Sequence, residues 1–350
     1  MLVFSFHASR PPCTLLVMHN LLRRIWQLVG VFGVMAGVVS ACLMTMEIVA
    51  GRLLAPFVGV SIIPWASVLA VVMVAMALGY YLGGVGTRRG LSLRAMGIGV
   101  CVAALWIAVM SPLAYWLGTH LLTLPWSLAT TALLLSTMLL FVPASLLAAV
   151  HPCLMARVVT ERESTGQTVG TLNACAAIGS IVGTFLTGFV GLMWLALPTI
   201  FYMTAGLLSV VGLGMLWVRQ AEHTSSVQFA ITHSRPKTSY AVLACVTGFV
   251  LMALEVAAAR ALAPYLGVSI FTWTIIIGAV LIGITLGNVL GGILADREGL
   301  PARLGHTLTW AGVAVLVATC LVGIGGPIFV AVDLPLALRT VLFAIKPVAQ

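Results

Sequence analysis

Two glutamates lie inside long apolar stretches of the sequence. Glu47 and Glu255 are each surrounded by mostly apolar residues. An ionisable group inside a membrane segment costs about 2.5–3.5 kcal/mol, so it normally faces a partner or a water-filled cavity. The functional interpretation is a proton or cation site. The alternative is a structural ion pair with Arg52 or Arg260, although a separation of five residues turns the two side chains about 140° apart around a helix.

Each glutamate is followed by a short segment that contains a proline and a glycine. Pro56 and Gly59 follow the first glutamate, and Pro264 and Gly267 follow the second. Proline removes a backbone hydrogen bond and glycine permits a left-handed turn, so both segments are predicted to interrupt their helices. Such an interruption can act in gating by exposing backbone to a cavity. The alternative, which we favour, is a tight connection between two helices.

Asn173 is a polar residue near the start of a glycine-rich apolar stretch. Its amide can contact a substrate or hydrogen-bond to another helix, and packing is the favoured interpretation. The neighbouring glycines have the small-x-x-x-small spacing that lets helices approach closely: Gly166, Gly170, Gly179 and Gly183. The seven cysteines include no C-x-x-C pair, and we expect neither a metal site nor a cofactor.

The composition indicates a membrane protein. Hydrophobic residues make up 61% of the 350 residues and charged residues only 7%, whereas a soluble domain carries about 25% charged residues. Long apolar runs predict an all-α polytopic fold with the lipid bilayer as its surroundings, because barrel strands would alternate polar and apolar residues. Ten spans are predicted, at 26–50, 64–85, 95–117, 126–150, 168–190, 193–217, 240–262, 271–294, 306–331 and 334–349.

The basic residues predict the orientation of these spans. They lie in every second connection between the spans, and the connections in between carry almost no basic residues. Because basic residues are typical of cytoplasmic connections, the connections that carry them are predicted to be cytoplasmic. The N-terminus is therefore expected in the cytoplasm. The net charge of +9 follows from this bias and does not indicate a nucleic-acid partner. Four regions result: an N-terminal cytoplasmic segment at 1–25, a six-helix bundle at 26–218, a cytoplasmic linker at 219–239 and a second, incomplete bundle at 240–350.

An internal repeat relates the two bundles. Residues 43–84 align without a gap with residues 251–292, at an offset of 208 and with 19 identities in 42 positions. The identities include a glutamate, an arginine, a proline, a tryptophan and several glycines, which shared membrane composition would not bring into register. Because six helices is an even number, both copies enter the membrane in the same direction. This predicts the parallel repeat of major-facilitator-type transporters.

Together these residues form the pattern E-x-x-x-x-R-x-L-A-P-x-x-G, followed by W and then L-G-x-x-x-G-G. The pattern resembles the membrane portion of bacterial spermidine-synthase-like proteins, in which a major-facilitator-like bundle is fused to a soluble synthase. The resemblance implies a location in the bacterial inner membrane. The glycine-rich loop and the acidic residues of the synthase domain are missing, so no enzyme activity is expected.

A second resemblance concerns a loop. The residues from Gly292 to Gly299 resemble the major-facilitator loop motif G-x-L-A-D-R-x-G, in which Asp296 and Arg297 are the charged positions. The resemblance implies a cytoplasmic gate in which these charges contact another loop or a helix end. The alternative is a solvated loop. The first copy departs from the motif, since Arg88 stands where the acid belongs.

These observations predict transport or channelling of a small cation, with Glu47 and Glu255 as the charged site and with Arg52, Arg260 and Asn173 as further candidates for binding the substrate or an ion. The resemblance implies that the cation could be a polyamine. One alternative is a membrane anchor that binds a soluble synthase or a second membrane chain. Another is a truncated fragment, because the second copy stops after about four helices. Of the three, transport is the interpretation that we favour.

Overall fold

The structure is a computed structural model that describes residues 13–159, 165–217, 238–266, 270–296 and 300–331. The regular elements within these ranges are helices: α1 (Cys13–Val58), α2 (Ile62–Arg88), α3 (Leu93–Ala108), α4 (Met110–Leu121), α5 (Leu128–Val158), α6 (Thr165–Phe185), a π-helical segment (Leu186–Gly191), the single turn α7 (Leu192–Trp194), α8 (Leu197–Trp217), α9 (Thr238–Leu266), α10 (Ile270–Ala295) and α11 (Leu300–Ala331).

Seven of the described helical segments are long and apolar enough to cross a membrane, or eight if α3 and α4 form one bent span. The first eight predicted spans each overlap one of these. At the ninth predicted span, the apolar part of the helix is shorter than in the other spans and covers Leu304–Cys320. The tenth, at 334–349, lies outside the described residues. The all-helical prediction is therefore confirmed, and the structure describes seven or eight of the ten predicted spans.

Serine side chains cap the N-termini of several of these helices. The Oγ of Ser61 accepts a hydrogen bond from the backbone N–H of Ile63 at 3.3 Å. Ser92 caps α3 through the N–H of Ala95 at 3.1 Å, and Ser127 caps α5 through a threonine N–H at 3.2 Å. Because the first amides of a helix have no partner within it, each serine fixes the residue at which its helix begins.

The segment after Glu47 is a tight connection and not a broken helix. Pro56 lies inside the last turn of α1, which continues to Val58, so the predicted interruption at the proline is wrong. Gly59 ends the helix with a φ of 75°, and its N–H donates to the carbonyl of Ala55 at 2.9 Å. Only three residues then separate α1 from α2. Glycine suits this position because it tolerates the left-handed conformation without a steric penalty.

Two irregularities were not foreseen from the sequence. The predicted third span is bent by 56° between α3 and α4. The predicted fifth span continues from α6 into the π-helical segment, where Gly188 packs against Thr274 of α10. A π-helical segment inside an α-helix is uncommon and often marks a functional region.

Small residues let the helices approach one another closely. A side chain at Gly179 would meet the backbone of Gly37, and one at Gly183 would meet the backbone of Ala41, so α6 packs tightly on α1. Gly170 packs in the same way against α10. The prediction that these glycines serve packing is therefore confirmed.

The two copies of the repeat have corresponding helix ends. The first helices, α1 and α9, end at Val58 and Leu266, which are 208 residues apart. The second helices, α2 and α10, begin at Ile62 and Ile270, again 208 residues apart. Residues 267–269 are outside the described residues, so Leu266 and Ile270 mark how far the structure describes α9 and α10.

Candidate functional site

A cavity of about 270 Å³ lies between the helices of the first copy and α9 and α10 of the second. Glu47 of α1 and Glu255 of α9 both line it. Glu47 lies eleven residues before the end of α1, which corresponds to about 16 Å along the helix axis and hence to roughly half of a 30 Å hydrocarbon core. Glu255 has the same spacing from the end of α9. The repeat therefore brings its two glutamates into one cavity at the same depth.

Glu47 is the most deeply buried acid in this cavity. Its side chain is 3% exposed, and its Oε2 atom makes no hydrogen bond to any described residue. Glu255 is 7% exposed. Among the residues that the structure describes, those that line the cavity include no lysine and no arginine. An ionised carboxylate in such surroundings is costly unless a cation or a proton neutralises it.

The lining itself repeats at the offset of 208. Six residues of α1 and α2 line the cavity together with the six residues that follow them by 208 positions in α9 and α10. The pairs are Met44 and Met252, Glu47 and Glu255, Leu69 and Ile277, Met73 and Leu281, Met76 and Ile284, and Tyr80 and Asn288. The two copies thus present equivalent faces to one space.

A layer of polar residues without a carboxyl group lines the opposite end of the cavity. His151 of α5 and Asn173 of α6 are joined by a hydrogen bond of 2.7 Å between Nε2 and Oδ1. The ring of Tyr80 meets the His151 ring edge to face, with 6.2 Å between centroids. Asn288 of α10 completes the layer. These groups can donate hydrogen bonds to a ligand and accept hydrogen bonds from it without adding a third buried acid.

A pair of stacked tryptophans lies beyond the cavity lining, on the side of the α1–α2 connection. Trp65 and Trp273 occupy equivalent positions in the repeat, and their rings stack with 5.4 Å between centroids and 16° between planes. Both are buried, at 6% and 5% exposure. Each lies one helical turn before a cavity residue, Leu69 or Ile277. The stacked rings therefore lie one helical turn from the cavity lining, toward this end of the bundle.

Neither repeat arginine lies in the cavity. Arg52 is exposed, and its Nη1 atom donates to the carbonyl of Leu192 at 3.3 Å. Arg260 is also exposed. Among the sequence-predicted binding residues, the cavity thus brings together Glu47, Glu255 and Asn173 and leaves the arginines outside.

The gating residues are dispersed. Pro56 and Gly59 lie at the α1–α2 connection, and Pro264 lies in the last turn of α9. Gly267 and Arg297 are outside the described residues. Asp296 directly follows α10 and contacts the beginning of α6, at the opposite end of the bundle from the tryptophan pair.

Asp296 caps α6. Its Oδ1 atom accepts a hydrogen bond from the N–H of Gly166 at 2.7 Å, and its Oδ2 atom accepts one from the N–H of Gln167 at 2.8 Å. A carboxylate at a helix N-terminus satisfies free amides and interacts favourably with the helix dipole. The contact joins a helix of the first copy to a helix of the second.

We expect Asp296→Ala to weaken this end of the bundle. Losing two hydrogen bonds at the start of α6 should speed amide exchange at Gly166 and Gln167 by about fivefold, since a helix cap contributes about 1 kcal/mol. Hydrogen exchange followed by mass spectrometry in lipid nanodiscs measures this. Asp296→Asn keeps an acceptor and should show a smaller increase. Unchanged exchange in the alanine variant would contradict the capping role.

Sequence reasoning missed several residues of the cavity. His151, Tyr80 and Asn288 are not among the residues that the sequence predicts for the site. The repeat held a usable signal, because Tyr80 and Asn288 are related by the same offset as the glutamates. His151 and Asn173 carried no such signal, since their contact depends on how α5 packs beside α6.

Comparison with protein-family models, with curated proteins and with solved structures finds no match to this chain. The resemblance to spermidine-synthase-like membrane portions therefore depends on the motif residues alone. What the chain does must be argued from the cavity and from the residues that line it.

Proposed function

We propose that this chain is a multi-pass membrane transporter whose central cavity binds a small organic cation at Glu47 and Glu255. The observation that carries the proposal is the buried carboxyl group of Glu47, which has an oxygen without a hydrogen-bond partner among the described residues. It lies in a cavity whose described lining residues include no lysine and no arginine. A positively charged ligand would provide the missing counter-charge.

Two carboxyl groups in one cavity would also allow substrate transport to be coupled to the movement of protons. Like charges close together in a poorly solvated space disfavour double ionisation. One ammonium group neutralises one carboxylate, and the second carboxyl group can carry a proton. Substrate and proton would then compete for, or share, the same pair of acids, which is the chemistry that a proton-coupled transporter requires.

The layout we propose is that of a major-facilitator-like parallel repeat in a bacterial inner membrane, with the N-terminus in the cytoplasm. It is supported by the gapless sequence repeat and by the six pairs of lining residues at the same offset. In transporters of this kind the substrate binds near the bilayer midplane between the two copies. The depth of Glu47 and Glu255 agrees with that arrangement.

Alternating access would use the two ends of the cavity as gates. The stacked Trp65 and Trp273 would form the gate on one side, and the contact of Asp296 with α6 would hold the other. Each contact joins one helix of the first copy to one helix of the second. Rocking of one copy against the other could therefore open one contact while the other stays closed.

We expect Trp65→Ala to open the cavity from the side of the α1–α2 connection. A thiol introduced by Ile277→Cys should react with a membrane-impermeant maleimide at least tenfold faster in the Trp65→Ala background, because the stacked ring no longer covers it. Peptide mass mapping separates this thiol from the native cysteines. Trp126→Ala removes an exposed tryptophan and serves as the control. Equal labelling in both backgrounds would refute the gate.

Uptake into proteoliposomes tests the proposed function. The purified chain should accumulate a radiolabelled small amine, and an outward proton gradient should increase the rate. No uptake, combined with stable co-purification of a soluble aminopropyltransferase, would instead favour the non-transporting anchor. Polyamines belong among the substrates tested because the motif resemblance implies them, whereas the cavity calls only for a cation.

A further inference from the structure

The cavity has a defined length between its acidic end and its polar end, which has no carboxyl group. In the first copy, Glu47 lies eleven residues from the end of α1, and Tyr80 lies eighteen residues from the start of α2. Because only three residues connect α1 to α2, the end of α1 and the start of α2 lie at the same height along the bundle axis. The difference of seven residues corresponds to about 10 Å along the helix axes. In the second copy, Glu255 and Asn288 have the same spacings.

The polar residues of α5 and α6 lie at the level of Tyr80 and Asn288. His151 is seven residues from the end of α5, and Asn173 is eight residues from the start of α6. Contacts keep the helix ends at that side level with one another: Asp296 reaches the start of α6, and Arg157 donates to the carbonyl of Leu91 at 3.1 Å. The four polar residues thus form one layer, about 10 Å from the acids.

The lining between the two ends is apolar. It is made of methionine, leucine and isoleucine side chains from both copies: Met73, Met76, Leu281 and Ile284. Methionine fills irregular space and adapts to flexible apolar groups. A charged group placed at this level would lose its hydration without gaining a counter-charge.

We infer that the ligand is an extended monocation with an ammonium group at one end and an uncharged hydrogen-bonding group at the other. This rests on the proposed function and narrows it. The ammonium group lies between Glu47 and Glu255, an unbranched apolar chain crosses the methionine-lined section, and a hydroxyl, carbonyl or amide group reaches the layer of His151 and Asn173. A diamine fits less well, because its second ammonium group would enter a layer without an acid.

Asn173 is the group that recognises the uncharged end. Its Oδ1 atom is bound to His151 at 2.7 Å, which leaves the two amide hydrogens of its nitrogen free to donate. A hydroxyl or carbonyl oxygen of the ligand can accept one of them. A second ammonium group cannot, because it has only donors.

Three amines of equal chain length test the inference: 6-amino-1-hexanol, hexylamine and 1,6-diaminohexane. Binding to the purified full-length chain in nanodiscs is measured by calorimetry. We expect the amino alcohol to bind about tenfold more tightly than hexylamine, as one hydrogen bond allows. We expect it to bind at least tenfold more tightly than the diamine.

Asn173→Leu should remove the advantage of the amino alcohol over hexylamine and leave hexylamine binding unchanged. Asn288→Leu provides a second test in the same layer if the first variant folds poorly. Thr204→Val, which changes a buried hydroxyl outside the cavity, is the control. Equal or tighter binding of the diamine would overturn the inference and leave cation transport standing. Failure of all three amines to bind would overturn the proposed function as well.

Discussion

Glu47→Gln is expected to reduce amine binding and uptake by about thirtyfold or more. Removing one member of a buried, hydrogen-bonded charge pair costs about 2–5 kcal/mol, and the ligand would lose the acid that is buried most deeply. The empty protein should be at least as stable as the parent, because glutamine has nearly the same shape and brings no charge into the bilayer. Uptake into proteoliposomes and thermal unfolding in nanodiscs measure the two effects.

Two further variants sharpen this test. Glu255→Gln should have a smaller effect of the same sign, since that side chain is somewhat more exposed. Ser136→Ala is the matched control, because the Ser136 hydroxyl is also buried without a partner among the described residues but does not line the cavity. It should leave uptake unchanged. Full uptake in Glu47→Gln would refute the proposed site.

The glutamates could be found from the sequence because a charge inside an apolar segment is costly and therefore conspicuous. The sequence could not show that Glu47 and Glu255 share one cavity, although the repeat made this plausible. The sequence indicated that Arg52 lies outside the cavity only through helix geometry, because side chains five residues apart point in different directions around the helix axis. The helical geometry disfavoured an ion pair, and the bond of Arg52 to the carbonyl of Leu192 agrees with that argument.

The rest of the site depends on contacts between distant helices. The bond between His151 and Asn173 joins residues 22 positions apart on two helices, and no spacing rule predicts it. The stack of Trp65 on Trp273 required knowing that α2 faces α10. The π-helical segment likewise has no signal within its own six residues, because Gly188 is fixed by its contact with Thr274.

The adjacent glycines of the repeated motif illustrate the same difference between sequence and structure. Both Gly83 and Gly84 belong to the L-G-x-x-x-G-G pattern, and the pattern gives them equal weight. In the structure, a side chain at Gly83 would meet the carbonyl of Ala149 and the ring of Pro152 on α5. A side chain at Gly84 would meet nothing within 4 Å. Only one of the two glycines is therefore needed for the contact between α2 and α5.

Gly83→Ala and Gly84→Ala should consequently have opposite effects on stability. The first inserts a methyl group against a backbone carbonyl, so α2 and α5 must separate, and overpacking of this kind costs about 1–3 kcal/mol. The second gains up to about 1 kcal/mol of helix propensity, because alanine restricts the unfolded chain more than glycine does. Thermal unfolding of both variants in nanodiscs should give a midpoint lower than the parent for Gly83→Ala and an equal or higher midpoint for Gly84→Ala. Equal midpoints for the two variants would mean that α2 and α5 are not packed as closely as the structure places them.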